Sequence, residues 1–279
     1  MVGSALNIGA KLEHHSTELS EGRRSKSQDC VSIHMHDQTT MTGLRFRVES
    51  WQAWTPGRDT PAAWSAWAEE REPLAQNEEA LAVPPLMLRR RIGALGQQAL
   101  KAAWGLPRSE DCRYVFASRH GEFDRTLSIL RGLAVGEDVT PSDFMLSVHH
   151  ALAGLLSIVQ KNRRGHTAVA AGDESFGAGL LEAAICLSET PTEPVLLVYY
   201  DEPLPAPFYD LAKLPPAPIA IALLLTADGP GTPLMMRTAP SDGSPASQIM
   251  ALDFLKFLLS GAREGKSQGE RLSWQWSRS

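Results

Sequence analysis

The chain has 279 residues, 43% hydrophobic and 21% charged, with a formal net charge of −5. These proportions suit one globular domain with a tail, and the acidic balance gives no electrostatic footprint for a nucleic acid. No apolar run approaches the roughly 18 residues of a membrane span, and the only cysteines, Cys30, Cys112 and Cys186, are widely spaced with no Cys-x-x-Cys pair; this argues against a disulfide framework or a thiolate metal site, and makes a reducing cytoplasm the expected location.

Residues 1–40 are polar, with scattered apolar residues and no sustained period. Such a segment cannot bury enough surface to offset its ordering entropy, so it is expected to be disordered or a non-native extension. Its histidines, His14, His15, His34 and His36, read as surface residues rather than as metal ligands with Cys30. No metal and no cofactor is expected.

A regular pattern begins near Met41, and residues 41–279 read as one domain. "LRFRVESWQAW" alternates as a strand, and "TPAAWSAWAEE" is a helix with Pro61 at its start. "PPLMLRRRIGALGQQALKAAWGL" reads as one helix with Leu88, Ile92, Leu95 and Leu100 on one side, stopped by Pro107. "RYVFAS" is a buried strand and "GEFDRTLSILRGLAVG" a helix. After "TPSD", with Ser142 or Asp143 as cap, "FMLSVHHALAGLLSIVQK" is helical over most of its length. A strand at Thr167–Ala171, a helix at Phe176–Leu187 and the strand "PVLLVYYDE" come next. Residues 203–216 are a proline-rich connection to a strand at 217–226. "GPGTP" and "PSDGSPAS" are loops, "QIMALDFLKFLLSGA" is an amphipathic helix ending at Gly261, and "RLSWQWS" is a last edge strand. Alternating strands and helices predict a layered α/β fold with a largely parallel sheet.

The turn "AAGDES" between strand and helix is where α/β enzymes often place a nucleophile. A hydrolase elbow needs Gly-x-Ser-x-Gly, and residues 173–177 read Asp-Glu-Ser-Phe-Gly. The first small position is filled by Asp173, so Asp173, Glu174 and Ser175 read as residues of a helix N-terminus. His149 and His150, neighbours on a helix, point about 100° apart and do not serve one site easily. Arg89, Arg90 and Arg91 read as a solvated basic face. The loop Ser118–Glu122, with Arg119 and His120, ends a strand and reads as a structural loop, with the lining of a pocket as the alternative.

"PSDFMLSVHHALAGLLSI", "GHTAVAAGDESFGAGLLEAA" and "PVLLVYYDEPLPAP", with "LMLRRRIGALGQQALKAA" and "VFASRHGEFDRTLSIL", together resemble the N-terminal half of the β-ketoacyl synthases, which have the thiolase-like fold. They are more closely similar to the short chain length factors of aryl polyene and related type II polyketide and fatty-acid pathways. The resemblance spans residues 44–205 and, more loosely, "SWQWSR". It implies an α/β fold with helices layered around a mixed sheet and a truncated second half. Condensing members carry a cysteine at the strand-to-helix turn, where the helix N-terminus lowers its thiol pKa and the thiolate takes the acyl chain. The matching turn here is Gly172, Asp173 and Glu174, with no cysteine, and the stretch after Pro203 is too short for the half that carries the family's catalytic histidines.

The resemblance therefore implies a silent subunit with no catalytic residue. Its partner would be a catalytic β-ketoacyl synthase in a heterodimer, with acyl carrier protein met indirectly. The acyl tunnel would be bordered by Phe144, Leu146, His149 and Phe176, and the subunit interface formed by His166, Thr167, Ala168, Val169, Ala170 and Ala171. The other reading is an active acyltransferase or hydrolase that uses Ser175 or Glu174 with His149 or His120.

Overall fold

The computed structural model describes residues 43–71, 83–209, 215–245 and 249–279. All belong to the unit Met41–Ser279. The expectations for residues 1–40, including the histidines there and Cys30, lie outside the described residues.

Eight strands form one sheet in the order β3-β2-β4-β5-β1-β6-β8-β7. The central strands are β1 (Leu44–Trp54), β2 (Arg113–Ala117), β4 (Val195–Asp201) and β5 (Ile219–Thr226). Every residue of β4 and β5 is buried, because both faces are covered by helices. Side chains alternate across the sheet. Val195, Leu197 and Tyr199 enter one core with α1 (Pro61–Ala68), α7 (Ser175–Glu189) and α8 (Met250–Ser260). Leu196, Val198 and Tyr200 enter the other, with α2 (Leu86–Arg89), α3 (Ala94–Trp104) and α6 (Ala151–Gln160). Small residues let α7 lie close to the sheet: a Cβ on Gly179 would stand 2.6 Å from Ala117 Cβ, and one on Gly177 would stand 2.7 Å from the Trp274 ring.

The sheet is mixed. Only β3 (His166–Val169), β2 and β4 run parallel, and every other neighbouring pair is antiparallel. The largely parallel sheet expected from strand–helix alternation stops at β4, because no helix is described between β4 and β5 to carry the chain back. The strand "RLSWQWS" is β8 (Leu272–Arg278) and is not an edge: it lies between β6 (Thr232–Pro240) and β7 (Glu264–Gln268), two strands the sequence pattern did not reveal.

Two expected helices are each broken in two. α2 and α3 separate at residues 90–93, where the Gly93 N–H donates to Glu122 Oε1 at 2.7 Å rather than into the helix ladder. The apolar run after residue 140 forms α5 (Pro141–Ser147) and α6, bent by 100° at Val148–His150. Thr140, not Ser142 or Asp143, caps α5: its Oγ1 accepts the Asp143 N–H at 3.1 Å, with Pro141 in the first helical position. Among the described residues no single helix is long and apolar enough to cross a membrane.

Helix α4 (Phe123–Ala134) and α5 stand apart from both cores. Leu127 is the one buried residue of α4, and α5 has none. Leu130, Leu133, Val135, Phe144, Met145 and Val148 are exposed along them.

Candidate functional site

β3 ends at Val169 and the chain turns through Ala171–Glu174 into α7. Gly172 has φ +62°, a left-handed conformation that glycine adopts without a Cβ penalty. Ser175 closes the turn on itself. Its Oγ donates to the Gly172 carbonyl at 2.7 Å and accepts the Ala171 N–H at 2.9 Å, and the residue is 1% exposed. Its proton is thus committed to a backbone carbonyl rather than to a histidine base. Glu174 is also committed. Its carboxylate is buried and accepts the Arg271 N–H at 2.7 Å and the Trp274 indole N–H at 3.1 Å, tying the turn to the C-terminal hairpin.

Asp173 is exposed, and it forms an ion pair with the Arg119 guanidinium. Arg119 belongs to the loop after β2, so the two loops at the carboxyl ends of β2 and β3 are joined by this pair. Behind the pair, the Arg119 backbone N–H donates to Asp201 Oδ2 at 3.2 Å, and the Tyr199 hydroxyl donates to the same oxygen at 3.3 Å. Burial pushes the Asp201 carboxyl up to about 7, against the opposing pull of these two donors and of the Arg119 charge. Arg119, Asp173, Glu174, Glu270 and Arg271 line an open cleft of about 310 Å³ over the turn.

His120 and His149 meet around Gly121, where a Cβ would stand 3.7 Å from the His149 ring. Burial and the nearby Arg119 and His149 hold His120 below the usual imidazole range. The Nε2 of each is buried with no hydrogen-bond partner among the described residues. Neither is paired with Ser175 or Glu174, so the alternative nucleophile–histidine constellation is not assembled. His150 is not on one helix with His149. It caps α6, and its ring lies 5.6 Å from that of His166 on β3.

The two described cysteines are distant from chemistry of this kind. Cys186 is buried on α7 in the core, eleven residues past Ser175, about 16 Å along the helix at 1.5 Å per residue. Burial pushes the Cys112 thiol up to about 12.

The expected tunnel residues fall in different layers. Phe176 is fully buried below the turn, its ring 5.5 Å from that of Tyr199 and 5.3 Å from that of Phe254. Phe144 is exposed and Leu146 half-buried on α5, and His149 lies in the bend. None of the four lines a cavity of about 480 Å³ that lies between α4, the α4–α5 connection, the start of α3 and Glu202. The loop Ser118–Glu122 does line pockets: Arg119 the cleft over the turn, and Glu122 this cavity. The expected interface residues His166–Val169 form β3, half-buried and at the sheet edge, while Ala170 is exposed and Ala171 half-buried in the turn.

Sequence reasoning missed the Arg119–Asp173 closure, the Glu174 tie to Trp274 and the buried Asp201. The acid pair Asp201–Glu202 ending an otherwise apolar strand was the available signal for the last.

The β-ketoacyl synthase N-terminal domain matches residues 64–277 of this chain. The chain belongs to that family. A solved complex, the ketosynthase ApeO with its chain length factor ApeC from Xenorhabdus doucetiae, matches at 31% identity, covering 84% of this chain and 100% of the matched one, with a TM-score of 0.72. A type II polyketide complex of AntDE with the acyl carrier protein AntF matches at 13% identity over 66% of this chain and 63% of that one, TM-score 0.53. The ishigamide ketosynthase/chain length factor matches at 15% identity over 71% and 68%, TM-score 0.53. The latter two show a shared fold, the thiolase-like fold of the ketosynthases. No curated protein matches the chain.

Proposed function

We propose that this family member is the non-condensing partner of a β-ketoacyl–acyl carrier protein synthase, acting as a chain length factor in fatty-acid or polyketide elongation, with an aryl polyene pathway as the specific setting. The observation that carries the reading is the turn itself. Asp173 occupies it in place of a thiol and is held by Arg119, while Ser175 and Glu174 are spent on hydrogen bonds within the fold. A scaffold kept without its nucleophile fits a subunit that shapes a partner's site.

Two further features support a partner. β3 is an edge strand with one row of backbone groups unpaired, a template that proteins cover or blunt. The exposed apolar residues of α4, α5 and α6 likewise lie outside the chain's own cores. Obligate interfaces often bury more than about 2,000 Å² in total, so a partner of this kind would cover both features in one contact. In this reading residues 41–279 are the working domain and 1–40 are dispensable. Phe144, Leu146 and His149 face the partner side of the acyl tunnel, and Phe176 supports its wall from the core.

Reconstitution tests the proposal. A cognate catalytic subunit and acyl carrier protein should extend an acyl chain to a defined length with this protein present, and should stop early or stall without it. Identical products in its presence and absence would contradict the reading.

A further inference from the structure

The cavity of about 480 Å³ beside α4 carries a charge pattern that the proposed function does not use. Six carboxylates line it, those of Glu122, Asp124, Glu137, Asp138, Asp143 and Glu202, against one guanidinium, that of Arg125. Arg125 pairs at long range with two of them, Glu122 and Asp143, and leaves the other four without a salt bridge among the described residues. Its Nη1 is 3.7 Å from Asp143, its Nη2 donates to the Arg91 carbonyl at 2.9 Å, and its Nε stands 4.0 Å from Glu122 Oε2, beyond hydrogen-bond reach.

Glu122 is the second observation. It lines the cavity and is 8% exposed; its Oε1 takes the Gly93 N–H at 2.7 Å, and its Oε2 is buried with no hydrogen-bond donor among the described residues, facing the Arg125 Nε at 4.0 Å. A buried carboxylate oxygen without a donor is costly, and a cationic donor entering the cavity would satisfy it. Burial and the neighbouring acids Asp124, Glu122 and Asp201 also push the Glu202 carboxyl up to about 7. A bare metal ion is not the fitting occupant, because no group of three or more metal-ligating side chains is placed to hold one among the described residues. A neutral acyl chain would gain nothing from six acids.

The position of the cavity identifies its occupant. Leu133 both lines it and stands exposed in the apolar strip of α4. A partner covering that strip would remove water from the carboxylates, and desolvating them against an apolar face costs several kcal/mol per ion unless opposite charge arrives with it.

We propose that the cavity between α4, the α4–α5 connection and the start of α3 receives lysine or arginine side chains of the catalytic partner subunit, a charged lock beside the apolar interface. The inference rests on the partner reading above and adds the chemistry of the contact. It also gives the heterodimer a basis for selectivity: a synthase without basic residues at that point leaves the acids buried and unpaired, so it is rejected.

The test uses the full chain and a cognate catalytic synthase, with the heterodimer Kd measured by calorimetry from low to high salt. The double variant Glu137→Gln/Asp138→Asn changes two exposed wall residues. It should bind about tenfold or more weakly at low salt, with a flatter salt dependence. Glu264→Lys, on the far edge strand β7, should bind as wild type. A second arm titrates spermidine, a free polyamine, against the isolated chain. Unchanged affinity and salt slope in the double variant would overturn the lock while leaving the partner reading intact. Micromolar spermidine binding together with a charge-insensitive Kd would assign the cavity to a small cation and overturn it as well. A wild-type chain that binds no synthase at any salt would remove both.

Discussion

Asp201 ends a strand whose residues are all buried, and it is the residue where pH acts most directly on this fold. Its carboxyl is held at about 7 by burial, against an ordinary value of 3.8. Below about pH 4 the folded and unfolded chains both hold the proton, and the group is neutral in its effect. Between about 4 and 7 the unfolded chain gives the proton up while the folded chain keeps it, so rising pH favours unfolding; above 7 the loss is complete. One such group weakens the fold by on the order of 4 kcal/mol across that window. Asp201→Asn keeps an oxygen for the Arg119 and Tyr199 donors and removes the charge. Urea unfolding from pH 4 to 8 should show a falling stability in the wild type and a distinctly flatter curve in the variant; equal slopes would show that folding does not raise the Asp201 pKa. At this scale the sequence was partly legible. The absent cysteine was visible at Gly172–Glu174, and so was the poor fit of Asp173 to an elbow. The partners of Asp173 and Glu174 were not, since Arg119 and Trp274 lie 54 and 100 residues away and only the fold brings them to the turn.

At the scale of elements, β3 is the edge that would meet a partner in the proposed complex. The Gly165 and Val169 carbonyls accept from the Tyr114 and Ser118 N–H groups of β2 and its end, so the odd-numbered residues turn their backbone groups inward. Along a strand these directions alternate. His166 and Ala168 therefore present their N–H and C=O to the open edge. Proline cannot donate to a ladder. Ala168→Pro should abolish co-purification with the catalytic synthase while the isolated chain keeps its circular dichroism spectrum. A variant that still co-purifies would show that this edge is not the interface. Val169→Pro is the poorer probe, because it breaks the chain's own pairing with β2. Elements with unbroken apolar runs, β4 and β5, were legible from sequence, as was α8 with Gly261 at φ +73° as its C-terminal stop. β6 and β7 were hidden because prolines flank "LMMRTA" and "EGKSQ" is polar; each forms because β8, carrying Trp274 and Trp276, needs neighbours on both sides. The breaks at Gly93 and Val148–His150 were hidden for a related reason. Helical periodicity continues through both, and tertiary contacts such as Glu122 with Gly93 end the helix where propensity alone does not.

At the scale of the whole molecule, the described chain is one sheet between two helical layers, with α4 and α5 outside both cores. Beyond β4 the described residues form four strands and one helix, and these extend and cover the same sheet rather than build a second one. The thiolase-like frame is thus retained, while the strand-to-helix turn after β3 is closed by Arg119 and Asp173. The most direct test of a non-condensing role is intact-mass analysis of this chain and a cognate synthase after incubation with acyl-loaded acyl carrier protein. The account predicts an acyl adduct on the synthase and none on this chain. A stable acyl adduct on this chain, lost in Ser175→Ala, would contradict it.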